Sequence, residues 1–280
     1  MSWVSARLTT FEHDGLIFDV DDGGPVSGPP LLLLHGFPQD HTCWDAVAAP
    51  LHDAGYRTLA PDLRGYSPRA RPPGRRAYTV GASAADCLAL LDAAGVQTAH
   101  VVGHDWGGAV AWVLAGRQPR RVATLTVLST PHPAAMAGSL VRSTQGLRSW
   151  YMAFFQLPWV PERLVALQLA DTLRRSGLPA ARAQHYAARM REPDALRAAL
   201  GWYRAMPFSL AESTPPSPVP TTYLWGQHDF ALGRSAAEAT LRHVTGEYRF
   251  IELDAGHWLP ETRPQDVAEA VRERVAAASG

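Results

Sequence analysis

The stretch VVGHDWGG, residues 101–108, begins as a short apolar run and ends in a turn flanked by glycines. Small residues on both sides of such a turn allow a strained bend that lifts one side chain above a sheet. The sequence therefore predicts a strand, a sharp turn with Asp105 at its tip, and a following helix. A simpler interpretation is that Asp105 caps that helix, because aspartate often begins helices.

Similar apolar runs recur along the chain and alternate with amphipathic stretches. LLLLH (31–35) is continuously apolar, as a strand buried on both faces should be, and AHVVGH (99–104) has the same character. Alternating strands and helices favour an α/β fold with a mostly parallel sheet flanked by helices. The other predicted strands of this half are 16–22, 56–62 and 122–129, and the predicted helices are about 42–54, 79–94 and 107–117.

This alternation stops after residue 130. Residues 131–218 contain helical patterns rich in aromatic residues, and no good strand pattern is found before the proline-rich segment ESTPPSPVP (212–220). Strand patterns return in TTYLWG and YRFIELD, and a last helix is predicted at about 264–277. We therefore predict a core formed by 1–130 and 219–280, with 131–218 inserted as a helical cap.

Composition excludes several classes of function. The 280 residues carry 26 basic and 26 acidic side chains, and this balance offers no reason for binding nucleic acid or an anionic membrane. The sequence has no lysine, so a Walker A loop, a pyridoxal Schiff base and a lysine nucleophile are excluded. It also has no asparagine.

The N-terminus and the cysteines point to a cytoplasmic protein. MSWVSARLTTFEHDG lacks the pattern of a signal peptide, and no apolar run approaches the roughly 20 residues of a membrane span. Cys43 and Cys87 are far apart and form no CxxC pattern, so neither a disulfide framework nor a zinc cluster is expected. We expect no cofactor and no metal, and the sequence leaves a homodimer open.

Two further polar residues follow predicted strands. Asp229 follows the strand in LWGQHD, and His257 follows the last strand in AGHW. With Asp105 they give the chain order nucleophile, acid, histidine. Each lies just beyond the carboxyl end of a strand, where open α/β sheets bind their ligands, so we expect the three side chains to converge.

Together these motifs resemble the α/β-hydrolase superfamily and, within it, the epoxide hydrolases. The resemblance extends over nearly the whole chain, from HGFP (35–38) through GHDWGG (103–108) to GHW (256–258). It implies that Asp105 is the nucleophile, that His257 activates water and that Asp229 orients His257. The backbone N–H groups of Phe37 and Trp106 would form the oxyanion hole.

The chemistry of a carboxylate explains why aspartate could replace serine at the turn. A carboxylate is already ionised and can displace a leaving group at a saturated carbon, such as that of an epoxide or an alkyl halide. The product is an ester of Asp105, which water activated by His257 would hydrolyse. The oxyanion hole would then stabilise charge on the carbonyl of Asp105 itself.

Ring opening produces a basic alkoxide, and a neutral tyrosine with a pKa of about 10 can donate a proton to it. By resemblance to epoxide hydrolases, Tyr151 in SWYMAFFQLP and Tyr203 in GWYRAMP would be the two cap acids. The alternative is that both tyrosines only pack among aromatic neighbours. The residue before Pro158 is Leu157, whereas epoxide hydrolases more usually have an acidic residue at this position.

We expect an apolar pocket for a small epoxide and water, lined by Phe37, Trp106, Trp150, Phe154 and Trp258.

Other functions remain alternatives at this point. A haloalkane dehalogenase would also use an aspartate, but it normally has a second halide donor, either asparagine after HG or another tryptophan, and this chain has Phe37 after HG. A fluoroacetate dehalogenase would place arginine where Trp106 stands. A non-catalytic receptor for a small apolar molecule could use the same capped fold. An esterase is disfavoured because a carboxylate that attacks an ester yields an anhydride.

Overall fold

A computed structural model describes residues 7–142 and 150–279. Within these ranges the chain forms an eight-stranded sheet with the order β1-β2-β4-β3-β5-β6-β7-β8. The strands are β1 Thr10–His13, β2 Leu16–Gly23, β3 Pro30–Leu34, β4 Arg57–Pro61, β5 Ala99–His104, β6 Val122–Leu128, β7 Thr221–Gly226 and β8 Tyr248–Leu253.

Most of the sheet is parallel. β2 pairs antiparallel with β1 and with β4, whereas the pairs from β4 through β3, β5, β6 and β7 to β8 are all parallel. The predicted fold class, a mostly parallel sheet flanked by helices, is confirmed. The sequence analysis missed β1, a four-residue edge strand with only Phe11 buried, because so short a stretch carries little periodic signal.

Eleven α-helices are found in the described parts of the chain. Helix α1 contacts the C-terminal helix α11, and α2 contacts α3, which also packs on β5 and β6. The helices are α1 Asp45–Asp53, α2 Val80–Ala93, α3 Trp106–Arg117, α4 Pro133–Arg142, α5 Trp150–Phe154, α6 Val160–Arg175, α7 Ala180–Arg189, α8 Ala195–Ala211, α9 Arg234–Ala239, α10 Leu259–Thr262 and α11 Pro264–Ser279.

The central strands form the core of the sheet. Leu31, Leu32, Leu33 and Leu34 of β3 are fully buried, as a strand covered on both faces requires. The chain exits β5, β7 and β8 at the same edge of the sheet because these strands run parallel. That edge is where the candidate site lies.

Between β6 and β7 the described residues form helices α4 to α8 and no strand. Helix α6 contacts α7 and α8, so these helices pack on one another. This arrangement agrees with the expectation of a helical insertion, while the domain limits at 130 and 219 stay a prediction. Across residues 7–142 and 150–279, no helix has the length and apolar character needed to cross a membrane.

Candidate active site

Asp105 occupies a strained turn between β5 and α3. Its φ of 50° and ψ of −121° lie outside the regions that most residues with a side chain adopt. The turn requires close backbone approach, because a Cβ on Gly107 would lie 2.2 Å from the carbonyl oxygen of Leu34. Asp105 is the N-cap residue of α3 by position, but its side chain makes no capping hydrogen bond, so the structure lacks the bond on which the capping interpretation depends.

The loop after β3 supplies a hydrogen bond to the carboxylate. The backbone N–H of Phe37 donates to Asp105 Oδ1 at 2.8 Å. The loop can approach this closely because Gly36 has no side chain, and a Cβ there would lie 2.3 Å from that of Asp105. Burial raises the pKa of Asp105, while the charge of His257 and the N–H groups of Phe37 and Trp106 lower it in part.

His257 and Asp229 lie on the other side of the carboxylate. His257 Nε2 is 3.7 Å from Asp105 Oδ2, and His257 Nδ1 is 2.8 Å from Asp229 Oδ2. The second oxygen of Asp229 accepts hydrogen bonds from the N–H groups of Ala231 and Leu232, at 2.8 and 2.9 Å. Both carboxylate oxygens of Asp229 are therefore engaged, and its position relative to the imidazole is well defined.

The electrostatics of the imidazole follow from this pairing. Burial alone lowers the pKa of His257, but the charge and the hydrogen bond of Asp229 outweigh it, so the pKa lies above the ordinary value. Asp105 adds to this increase. An imidazole in this setting can accept a proton and hold it as a cation between two carboxylates.

Both predicted tyrosines, Tyr151 and Tyr203, lie at the cavities beside Asp105. Tyr203 on α8 and Tyr151 on α5 have ring centroids 6.0 Å apart, and both line the two cavities that meet at Asp105. Tyr203 also packs its ring edge-on against Phe37 and Trp106. Burial raises the pKa of each phenol, and the nearby charge of Asp105 raises it further. Both hydroxyls therefore stay protonated near neutral pH.

Two cavities flank Asp105. The larger has a volume of about 520 Å³ and is bounded by His257, Trp258 and helix α6. The smaller has a volume of about 130 Å³ and lies beside Trp106 and helix α4. Of the predicted pocket residues, the larger cavity is lined by Phe37, Trp150, Phe154 and Trp258, and the smaller one by Trp106.

Gln156 links helices α5 and α8, a role that the sequence analysis missed. Its Nε2 donates to the backbone carbonyl of Tyr203 at 2.6 Å and lies 3.4 Å from that of Met152. This amide ties α5 to α8 and so links the two tyrosines. Leu157, the apolar residue that replaces an expected acid, is about half exposed at 48%.

A second missed group lies behind the triad. His104 contacts the carbonyl of His257 with Nε2 at 2.9 Å and Gln39 with Nδ1 at 2.8 Å. The amide nitrogen of Gln39 in turn lies 2.9 Å from both carboxylate oxygens of Glu261. Sequence alone gave no signal for this cluster, because neither burial nor contact can be inferred from isolated polar residues.

No cluster of three or more metal-ligating side chains occurs within residues 7–142 and 150–279. The arrangement at Asp105 instead offers a carboxylate, an imidazole, backbone N–H donors and two neutral phenols. These groups can support nucleophilic attack by oxygen, proton donation and activation of water.

Comparison with known proteins shows the family to which the chain belongs. The family model for the alpha/beta hydrolase fold matches residues 29–264. Epoxide hydrolase A of Mycobacterium tuberculosis is 31% identical over 310 residues, with 94% of this chain and 95% of that protein covered. Human epoxide hydrolase 4 is 31% identical over 275 residues, with 93% of this chain and 76% of that protein covered.

A solved structure gives the same result. The crystal structure of epoxide hydrolase A from Mycobacterium thermoresistibile matches with a TM-score of 0.84 and 30% identity, covering 95% of this chain and 97% of that one. The fold, the strained turn and the order of Asp105, Asp229 and His257 define the class: the chain belongs to the α/β-hydrolase superfamily. Within this superfamily it belongs to the epoxide hydrolase family.

Proposed function

We propose that this enzyme adds water to a small apolar epoxide and releases a vicinal diol, through an ester between Asp105 and the substrate. The observation that carries the proposal is the placement of the Asp105 carboxylate. Its Oδ1 accepts the N–H of Phe37, while its Oδ2 faces His257 at 3.7 Å and the cavities. One oxygen is thus held and the other is available to react.

In the first step, Asp105 Oδ2 attacks a ring carbon and the carbon–oxygen bond of the epoxide breaks. The electron pair of that bond remains on the ring oxygen, which takes a proton from Tyr203 or Tyr151. Neutral phenols can do this at pH 7, and the raised pKa of both tyrosines keeps them protonated. The product is a hydroxyalkyl ester of Asp105.

In the second step, His257 removes a proton from water, and the oxygen of that water attacks the ester carbonyl of Asp105. Negative charge develops on Oδ1, where the N–H groups of Phe37 and Trp106 would stabilise it. Asp229 stabilises the imidazolium that forms. Collapse of the tetrahedral intermediate breaks the ester, and the departing oxygen takes the proton from the imidazolium of His257 to complete the diol. The Asp105 carboxyl group formed in this step loses its proton to the tyrosinate left by ring opening, which restores the starting state.

The names of the relatives support the substrate class. The two relatives and the solved structure described above are named as epoxide hydrolases, and the alignments extend over at least 93% of this chain. The predominantly aromatic and aliphatic lining of the larger cavity fits an apolar epoxide. The particular substrate, the regiochemistry and the enantioselectivity stay outside this proposal.

A haloalkane dehalogenase remains the second candidate, because it would use the same aspartate. Its halide needs a second N–H donor, and Phe37 supplies no side-chain donor at the expected position. A non-catalytic receptor has less support, because a receptor has no need of an imidazole paired with Asp229 and facing Asp105.

Two substrates distinguish these candidates. The purified protein is incubated with styrene oxide and, separately, with 1-bromobutane, and the products are assayed for phenylethanediol and for bromide. Diol without bromide supports the proposal, and bromide release without diol would favour dehalogenation. Binding without turnover of either compound would favour the receptor. The cytoplasmic location and a homodimer stay predictions from the sequence.

A further inference from the structure

We propose that a network of three positioning residues, Gln39, His104 and Glu261, holds one shared proton. This proton allows His104 to donate a hydrogen bond to the carbonyl of His257, which keeps the His257 loop in place for ester hydrolysis. This inference rests on the proposed function, because it assigns the network to the second step of that reaction. None of the three residues is needed for the chemistry of the nucleophile, the base or the proton donors.

The network connects the two loops that bracket Asp105. His104 Nε2 lies 2.9 Å from the carbonyl oxygen of His257, and Gln39 lies 3.3 Å from the backbone N–H of Gly36, next to the donor Phe37. Ser129 Oγ also contacts the His257 carbonyl, at 3.1 Å. A displacement of these side chains would therefore shift both His257 and the loop that carries the N–H of Phe37.

If His104 is neutral and Glu261 is ionised, the network lacks one proton. Without it, one hydrogen-bonded pair has two acceptors and no donor. With the Gln39 amide nitrogen turned to Glu261, its oxygen faces His104, so both ring nitrogens of His104 meet acceptors. A neutral imidazole has a single N–H and can satisfy only one of them. Either His104 is protonated, or the amide of Gln39 is turned over and Glu261 carries the proton.

The second arrangement gives a donor and an acceptor to each side-chain pair among His104, Gln39 and Glu261. Burial raises the pKa of Glu261 to about 7, and burial lowers that of His104 well below its ordinary value. The proton therefore belongs on Glu261, which donates to the oxygen of Gln39. The amide nitrogen of Gln39 then donates to His104 Nδ1, and His104 Nε2–H donates to the carbonyl of His257. The 3.3 Å contact to Gly36 is the weak one that this orientation gives up.

Loss of the proton reverses the order of donors. Ionised Glu261 takes two N–H bonds from Gln39, the oxygen of Gln39 accepts Nδ1–H of His104, and Nε2 is left as a lone pair against the carbonyl of His257. The hydrogen bond from His104 to the carbonyl of His257 is then lost, and Ser129 Oγ remains as a donor to that carbonyl. The titratable and charged groups that face the network are Arg182, Tyr186, Cys43, His35 and His257.

Glu261→Gln and Glu261→Met form a matched pair for the test. Glutamine keeps an N–H donor toward Gln39 at every pH, whereas methionine of similar length offers none. Single-turnover reactions with styrene oxide, quenched and followed by intact mass spectrometry, separate formation of the Asp105 ester from its hydrolysis. Hydrolysis in Glu261→Met should slow by about tenfold or more, because small displacements of a base are costly. Ester formation should change much less.

The pH dependence tests the shared proton. From about pH 7 to 9, the hydrolysis rate of Glu261→Gln divided by that of wild type should rise severalfold, because only wild type loses the donor. A constant ratio would overturn the shared proton. Equal slowing of both steps in Glu261→Met, or of neither, would overturn the positioning role. If Glu261→Met fails to fold, Glu261→Gln still provides the test.

The tautomer of His104 gives a readout that does not need turnover. In ¹⁵N NMR spectra, wild type should carry the His104 proton on Nε2 below the pKa of Glu261 and on Nδ1 above it, while Glu261→Gln should keep Nε2–H throughout. A wild-type tautomer that is the same at both ends of this range would contradict the inference. Absence of any Asp105 ester in wild type would instead contradict the proposed function and leave this spectroscopic prediction standing.

Discussion

The edge of the sheet and the helices between β6 and β7 hold their site residues in different ways. Asp105 and His257 each follow a parallel strand. The backbone N–H of Phe37 holds the carboxylate of Asp105, and the side chain of His104 contacts the backbone carbonyl of His257. Tyr151 and Tyr203 lie on helices and are held mainly by ring contacts. A hydrogen bond restricts both the distance and the angle between its two groups, whereas contacts between aromatic rings permit several arrangements. Changes at the sheet edge should therefore have larger effects than changes in the helical region.

The largest effect is expected at the sheet edge. His257→Gln removes the proposed base for hydrolysis but keeps the proposed nucleophile Asp105, so an adduct of substrate mass should accumulate. We expect turnover to fall by about 10³-fold, within the range for loss of a general base. Peptide mass spectrometry after incubation with styrene oxide locates the adduct.

Asp105→Ala is the control for that experiment, and it should show neither adduct nor turnover. Both variants need matching thermal stability for the comparison to hold. An adduct on a peptide without Asp105, or diol production by Asp105→Ala, would contradict the assignment of the nucleophile.

Removing the phenol hydroxyls tests the helical side of the comparison. Tyr203→Phe and Tyr151→Phe keep the rings and their packing, so each should slow ester formation while one proton donor remains. The double variant should slow it by about 10²-fold or more, because general acid catalysis is lost. Stopped-flow measurement of ester formation provides the rates.

Wild-type ring opening in the double variant would mean that the tyrosines only pack. A double change of Phe154 and Phe155 to leucine gives the opposite control, because it alters packing and keeps both hydroxyls. Its effect should be smaller than that of losing the two hydroxyls.

The pH dependence of activity tests the sheet edge and the helical region separately, because a histidine titrates in one and two tyrosines titrate in the other. Asp229 raises the pKa of His257, and hydrolysis needs neutral His257, so activity should fall as the pH drops through a value above 6.5. Burial raises the pKa of both tyrosines, so the limb caused by their ionisation should lie above pH 10. Rates of ester formation and of hydrolysis, measured separately, assign each limb. Loss of ester formation as the pH rises through neutral values would contradict the role of the two tyrosines as proton donors.

The smallest effect is expected at Gln156. Gln156→Met removes the hydrogen bond to the carbonyl of Tyr203, which should cost about 1 kcal/mol of unfolding free energy and lower the melting temperature by about 3 °C. Ester formation should slow severalfold, and hydrolysis should not. Gln97→Met, at an exposed position, is the matched control and should leave both unchanged.

Local patterns in the sequence predicted the turn at Asp105, whereas contacts between residues far apart in the chain were missed, and the reason is physical. A strand followed by a glycine-flanked turn, as at Asp105, is a local pattern and is visible in a few consecutive residues. The contact of Gln156 with Tyr203 spans 47 residues and depends on how helices pack, which no local pattern records. The contacts of Glu261 with Gln39 and Tyr186 likewise join residues far apart in the chain. The brief edge strand β1 was missed because four residues carry too little periodicity.

The hydrogen bond from Phe37 to Oδ1 has a consequence for the fate of oxygen atoms. If Oδ2 forms the ester and water adds to the carbonyl carbon, a single turnover in ¹⁸O-labelled water should leave the heavy isotope in the Asp105 side chain and none in the diol. Heavy oxygen would reach the product only in later cycles, when the labelled carboxylate attacks the next substrate. In the proposed mechanism the protein is therefore itself a reactant, and each turnover exchanges an oxygen atom of its own side chain.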